Sequence, residues 1–244
     1  MESVESLPME RLQVKTYCIV LASGTGTRFG GDIPKQFVEI EGRMLVEYTL
    51  SACASASVVD EILVVVSESW AEKMRSVADS LQLQKTMRIV IGGATRKESC
   101  WNGVAAIADD EAKVVIHNGV QPFVKAKDIE LCVQALNRYD AVSVGSPSVY
   151  TILELNENRE LKRIVDRRRS VNDLGPECFK LRFLRKVFEV AGEDINFTNI
   201  TGMVVKYGLG DVYVVDGDPS NIKITYPDDF ILAKHMFMKN ELKR

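Results

Sequence analysis

The sequence predicts an α/β protein with a mainly parallel, Rossmann-like sheet and helices on both faces. Three observations carry this reading. Apolar runs of strand length alternate with stretches of helical periodicity across residues 17–144. Such alternation winds right-handedly into a parallel sheet with its ligands beyond the carboxyl ends of the strands. The glycine-rich segments follow those apolar runs, where such ligands sit. The chain is also long enough, at 244 residues with 46% hydrophobic and 27% charged content, to bury a full core as one soluble unit.

Residues 1–15 are polar and without periodicity, so a flexible lead-in is expected there and a single folded domain over 16–244. The run 17–22 is a short buried strand, and 23–31 is too rich in glycine to extend it. Apolar spacing over 44–56 predicts a helix, 62–66 a strand covered on both faces, and 70–83 a second helix. A third strand over 88–91 ends at Gly92-Gly93, and helical spacing resumes over 99–107. Strands at 114–116 and 141–144 flank a helix at 129–136. The stretch at about 150–172 differs: it is charge-dense, holds Arg163, Arg167, Arg168 and Arg169, and offers few core residues. Core-like sequence returns at 187–191, 203–207 and 212–216, and a last helix over 228–238 starts behind Pro227.

Composition excludes several classes. A net charge of -3 gives no general attraction to nucleic acid. No apolar run is long enough to span a bilayer, and the acidic first residues are not a signal peptide, so a cytoplasmic location is expected. The five cysteines are odd in number and widely spaced, as expected of small buried residues in a reducing compartment. With only two histidines, a Cys/His zinc site is not expected.

The chemistry concentrates at residues 22–37. Ala22, Ser23, Gly24, Thr25, Gly26 and Thr27 form a loop whose glycines let backbone N–H groups approach an anion. Arg28 adds a planar fork for phosphate oxygens, and Lys35 a mobile point charge. Neither familiar glycine loop is present. A dinucleotide loop needs glycine where Phe29 stands, and a Walker loop begun at Gly26 needs lysine where Asp32 stands.

The pattern Gly24-Thr25-Gly26-Thr27-Arg28 followed by Pro34-Lys35-Gln36-Phe37 resembles the nucleotidyltransferases that join a nucleoside triphosphate to a sugar or alditol phosphate. It is most similar to the cytidylyltransferases acting on methylerythritol phosphate and ribitol phosphate. Three further stretches resemble the same family. Gly92-Gly93-Ala94-Thr95-Arg96-Lys97-Glu98-Ser99 is similar to the segment that holds the cytosine base, which implies Gly92, Gly93, Arg96 and Ser99 as nucleotide contacts. Asn221-Ile222-Lys223-Ile224-Thr225 implies Lys223 as a third catalytic cation beside Arg28 and Lys35, delivered on a strand. Ile164-Val165-Asp166-Arg167, with Gly175-Pro176-Glu177-Cys178-Phe179 downstream, resembles the arm and the segment returning from it. That likeness implies acceptor contacts from Thr151 and Arg167 and a homodimer paired through the arm. The substrates implied are CTP and a small phosphorylated polyol or sugar, with Mg²⁺ on the phosphates and pyrophosphate as the second product.

The departures from the family pattern fall on the acceptor side. Where the family usually has His-Asp-Ala-x-Arg-Pro-Phe, this chain has Asn118 and Gln121 in place of the aspartate and arginine. Tyr150, Gly175 and Asn199 stand where aspartate, threonine and aspartate are usual. Asn118 retains a carbonyl oxygen for a hard cation or an acceptor but no formal charge, so the metal ligands are left unassigned. The nucleotide positions are kept while the acceptor positions change, which favours a ribitol-phosphate-like acceptor of surface polysaccharide. The alternatives are the methylerythritol-phosphate cytidylyltransferase of isoprenoid synthesis and a catalytically silent nucleotide-binding homologue.

Overall fold

The apolar run behind Lys15 forms the central strand β1 (Thr16–Leu21), with Cys18, Ile19 and Val20 fully buried. The computed structural model describes residues 14–26, 29, 33–194 and 198–241, so the expected lead-in lies outside the described residues except for Val14 and Lys15. A small hairpin, β2 (Glu39–Ile40) and β3 (Arg43–Met44), leads into α1 (Leu45–Ser55). Alternation then follows: β4 (Glu61–Val66), α2 (Ala71–Leu81), β5 (Thr86–Ile91), α3 (Arg96–Ala105), β6 (Lys113–Asn118), α4 (Ala126–Ala135) and β7 (Ala141–Pro147). The remaining elements are β8 (Ile152–Leu155), β9 (Leu161–Val165), β10 (Val171–Lys180), α5 (Leu181–Ala191), α6 (Ile200–Lys206), β11 (Val212–Asp216) and α7 (Pro227–Glu241).

Seven strands pair in the order β11-β7-β10-β6-β1-β4-β5. β1 is parallel to β4 and β6, β4 to β5, and β11 to β7. Period-2 alternation in the inner strands divides the core between the two faces. Cys18, Val20, Ile62 and Val64 pack with residues of α1, α2 and α4, such as Leu50, Met74 and Ile129. Ile19, Leu63, Val65 and Ile116 pack with residues of α3, α5 and α6, such as Val104, Leu184 and Met203. All five cysteines are buried and unpaired, as expected.

Two expectations need correction. The family likeness implies residues 150–172 as an arm and 175–179 as its return, and no strand is expected between them and 187. Instead β10 begins at Val171 and inserts antiparallel between β6 and β7, making the sheet mixed at that point. Its exposed, polar first half, Val171 to Asp173, concealed the buried second half, Pro176 to Phe179, from a period-2 search. The helix expected over 99–107 starts three residues earlier at Arg96, because Thr95 caps it. The Thr95 side chain accepts the Glu98 N–H at 3.1 Å, and the Glu98 carboxylate returns to the Thr95 N–H. This reciprocal Thr-x-x-Glu box is a helix-start signal in plain view.

The arm itself is an antiparallel pair, β8 with β9, outside the main sheet. It exposes Leu153, Leu155, Leu161 and Ile164. A third apolar cluster gathers Ile40, Leu45, Phe123 and Ile224 under α7, with Phe237 stacked on both Tyr48 and Phe123. This cluster anchors the segment that carries Lys223.

Candidate active site

A cavity of about 380 Å³ opens beyond the carboxyl ends of β1 and β6, against the start of α3. Residues 22–26, the loop that follows β1, form one wall. Ala22 is still tied into the sheet by its N–H to the Val65 carbonyl at 2.7 Å. Beyond it, among the described residues, no acceptor takes the N–H groups of Ser23, Gly24, Thr25 or Gly26, while the carbonyls of Ala22, Gly24 and Gly26 are all engaged. Gly26 sits at φ +72°, a backbone conformation that side chains disfavour, so the tight turn favours glycine. Thr27 and Arg28 lie outside the described residues.

The opposite wall comes from the strand-to-helix turn at residues 92–99. The Ser99 hydroxyl bonds the Ser23 hydroxyl at 2.9 Å and accepts the Gly93 N–H at 3.1 Å, tying this turn to the loop. A Cβ on Gly92 would come within 2.8 Å of both Ser23 Cβ and Ser99 Oγ, so the close approach of the two walls depends on the missing side chain. Glu98 holds the Ala94 N–H at 2.7 Å, fixing the rim.

Among the described residues, three cationic side chains line the cavity: Lys35, Arg96 and Lys223. Lys35 leads the short turn Lys35–Phe37, and its ammonium donates to the Ile224 carbonyl at 2.7 Å, spanning the gap to the segment of Lys223. Lys223 was expected on a strand; it lies instead in an irregular segment, residues 221–225. The fully buried Ile224 pins that segment, its N–H donating to the Val120 carbonyl at 3.0 Å. No carboxylate lines this cavity among the described residues, so its field suits a polyanion.

A second cavity, about 340 Å³, adjoins the first, and Arg96, Asn118 and Lys223 line both. Its character is different. Asn118 accepts from Arg96 Nη1 at 2.7 Å through its oxygen and donates to Gln121 through its nitrogen. Gln121 in turn donates to the Leu174 carbonyl at 2.7 Å, and Asn221 reaches the Leu174 and Gly175 carbonyls at 3.1 and 3.2 Å. The ladder between β10 and β7 is irregular between Asp173 and Glu177, which frees those carbonyls. Asp173 accepts from Asn199 at 2.8 Å, and Glu177 accepts the Thr201 N–H at 2.7 Å.

Burial perturbs two groups here. It pushes the Glu177 carboxyl above its ordinary value, against the lowering effect of the Thr201 N–H. It pushes the His117 imidazole down to about 4, against the hydrogen bond to the Gln121 carbonyl at 2.9 Å. His117 is therefore neutral near pH 7. Asn221 Oδ1 is buried without a partner among the described residues.

The structure thus brings Ala22, Ser23, Gly24, Thr25, Gly26, Lys35, Gly93, Arg96, Ser99, Asn118 and Lys223 around one cavity, with Gly92 directly behind Ser23 and Ser99. It does not bring Thr151 or Arg167 there. Both are exposed on the arm, Arg167 in a short turn after β9, and neither lines either cavity within one chain. Sequence reasoning passed over Gln36, Glu177 and Asn221 as site residues. Each stood inside a quoted motif, but only the folded chain shows what its side chain meets.

The family model described as IspD, 2-C-methyl-D-erythritol 4-phosphate cytidylyltransferase, matches residues 16–239. The chain belongs to this family. It is a cytidylyltransferase, a nucleotidyltransferase enzyme. A 2-C-methyl-D-erythritol 4-phosphate cytidylyltransferase of Syntrophus aciditrophicus is 33% identical over 232 residues, covering 94% of this chain and 99% of that protein. A bifunctional ribulose 5-phosphate reductase/CDP-ribitol pyrophosphorylase of Haemophilus influenzae is 32% identical over 228 residues, covering 91% of this chain. The chain spans about half, 48%, of that longer protein. Among solved structures, the 4-diphosphocytidyl-2C-methyl-D-erythritol synthase of Anaerococcus prevotii superposes with a TM-score of 0.82 at 25% identity, covering 92% of this chain and 96% of that one. Among the described residues no helix is long and apolar enough to cross a membrane.

Proposed function

We propose that this cytidylyltransferase moves CMP from CTP to the phosphate of a small alditol, ribitol-phosphate-like rather than methylerythritol phosphate, and releases pyrophosphate. The two relatives named above carry different acceptors in their names at nearly equal identity, 33% and 32%, so overall similarity does not decide between them. What favours the reading is the pairing of Asn118 with Gln121, a neutral amide pair where the family usually presents an aspartate and an arginine.

In this reading CTP lies in the larger cavity, with cytosine against Gly92, Gly93 and Ser99 and its phosphates on the N–H groups of residues 23–26. The acceptor phosphate sits at the wall shared by the two cavities, beside Arg96 and Asn118. An oxygen of that phosphate attacks the α-phosphorus in line. The bond from the α-phosphorus to the bridging oxygen breaks, and pyrophosphate leaves. An acceptor phosphate with a second pKa near 6 is largely dianionic at neutral pH and needs no strong general base. Lys35 and Lys223, with Arg28, stabilise the charge that builds on the transferring group and the leaving pyrophosphate.

The described residues do not fit a protein-held Mg²⁺ ion. No carboxylate lines the nucleotide cavity, the Asn118 oxygen is taken by Arg96, and no cluster of three or more His, Cys, Asp or Glu residues exists among them. Mg²⁺ is best placed as the counter-ion that CTP brings, which accords with its preference for phosphate and water oxygens. Arg167 and Thr151 reach an acceptor only from the arm of a second copy. We therefore propose a cytoplasmic homodimer joined through β8 and β9, with residues 16–244 as one nucleotidyltransferase domain.

The test is pyrophosphate release from CTP and Mg²⁺ against ribitol phosphate, methylerythritol phosphate, glycerol phosphate and several sugar phosphates. Ribitol phosphate is expected to be consumed fastest. Preference for methylerythritol phosphate would return the protein to the activity in the family's description. Sedimentation of the same preparation checks the dimer.

A further inference from the structure

Gln36 is 2% exposed and sits in the turn behind the phosphate loop. Its Nε2 donates to the Ala22 carbonyl at 2.7 Å and to the Gly24 carbonyl at 2.9 Å, so one amide nitrogen grips two peptides of the loop. The two donor contacts also fix the orientation of the carboxamide, because its oxygen in that place would face two other oxygens. The turn that delivers it is itself held, with Phe37 stacked on Trp70 at 4.6 Å between ring centroids. By contrast, the loop has little packing of its own at its centre: among the described residues nothing lies within 4 Å of where a Gly24 Cβ would be. A glycine peptide with no neighbours turns over easily. Turned over, it would aim a carbonyl oxygen, not an N–H, at the ligand.

We propose that Gln36 is a positioning residue that sets the polarity of the phosphate loop. It holds the carbonyl oxygens of Ala22 and Gly24 on the protein side and so leaves the N–H groups of residues 23–26 to the triphosphate. The inference rests on the reading of this cavity as the CTP site.

The experiment compares CTP with cytidine, which shares the base and ribose but has no phosphate, in equilibrium binding to the full-length protein. The variants are Gln36→Met, close in shape without a donor, and Gln36→Asn, which keeps the amide but shortens its reach by one methylene. A positioning role predicts that CTP weakens at least about tenfold in both variants, the scale of one charge-assisted hydrogen bond, while cytidine changes less than about twofold. Thermal melting accompanies each titration, and a variant that does not fold is replaced by the other. Equal weakening of CTP and cytidine, or a CTP change under about tenfold, overturns the proposal. Failure of the unmodified protein to bind CTP would instead overturn the reading of the cavity.

Discussion

The two adjoining cavities, proposed as the nucleotide and the acceptor site, are built in opposite ways. The nucleotide cavity is walled largely by backbone, with glycines where a Cβ would collide and with cations but no described carboxylate. The acceptor cavity is walled by side chains that already satisfy one another: Arg96 on Asn118, Asn118 on Gln121, Gln121 and Asn221 on the carbonyls before Pro176, and Asn199 on Asp173. A backbone cradle needs only small residues at fixed spacing, so it is hard to retune and easy to recognise. A side-chain network can exchange one set of partners for another while staying satisfied, which is what the proposed change of acceptor would require.

The harshest test of this contrast removes a cation from the nucleotide side. Lys223→Ala is expected to lower kcat by about 10² to 10³, the scale of one preorganised donor in a transition state, with little change in melting because Lys223 is exposed. Lys35→Ala should match that loss and also cost about 1 kcal/mol of stability, since its ammonium bonds the Ile224 carbonyl. Pyrophosphate release and thermal melting read the two effects. A near-normal rate in either variant would remove that lysine from the chemistry.

A milder test exchanges the acceptor network. The double variant Asn118→Asp, Gln121→Arg replaces the neutral amide pair with the charged residues usual in the family. Its kcat/KM ratio for methylerythritol phosphate over ribitol phosphate should rise about tenfold, as expected for one charge-assisted pair of about 1.5 to 3 kcal/mol. KM for CTP should hold within about twofold. If CTP and acceptor constants move together, the two cavities are one energetic unit and the contrast fails.

The same contrast explains what could be read in the sequence. The strand and helix alternation, the buried cysteines and the placing of both glycine turns at strand ends depend on local patterns, and the structure bears them out. β10 was illegible because its pattern changes from exposed to buried midway and its partners, β6 and β7, lie far off in sequence. Lys223 was expected on a strand from the family likeness of residues 221–225, yet Ile224 fills the cluster under α7 without joining a sheet. Gln36 and Asn221 could be quoted as letters of motifs, but their roles depend on carbonyls that the fold brings from elsewhere or turns toward them.

The finest test uses pH, because the acceptor side contains a buried histidine and the described nucleotide lining contains none. His117 has an ordinary value of 6.5 and is lowered to about 4 by burial. The folded protein thus refuses a proton that the unfolded chain accepts, so His117 contributes no penalty above about pH 6.5 and an increasing one as pH falls toward 4. At pH 5.5 the loss from this group is about 1.4 kcal/mol, or roughly 3 to 6 °C in melting for a chain of this size. Glu177 works in the opposite sense: its raised value means that the folded state holds a proton more readily, adding stability as pH falls. Comparison with His117→Gln cancels that term, since the variant keeps Glu177 and retains an N–H for the Gln121 carbonyl. The variant should lose less melting temperature than the parent between pH 7 and 5.5, and parallel curves would show that His117 takes up its proton without opening the acceptor network.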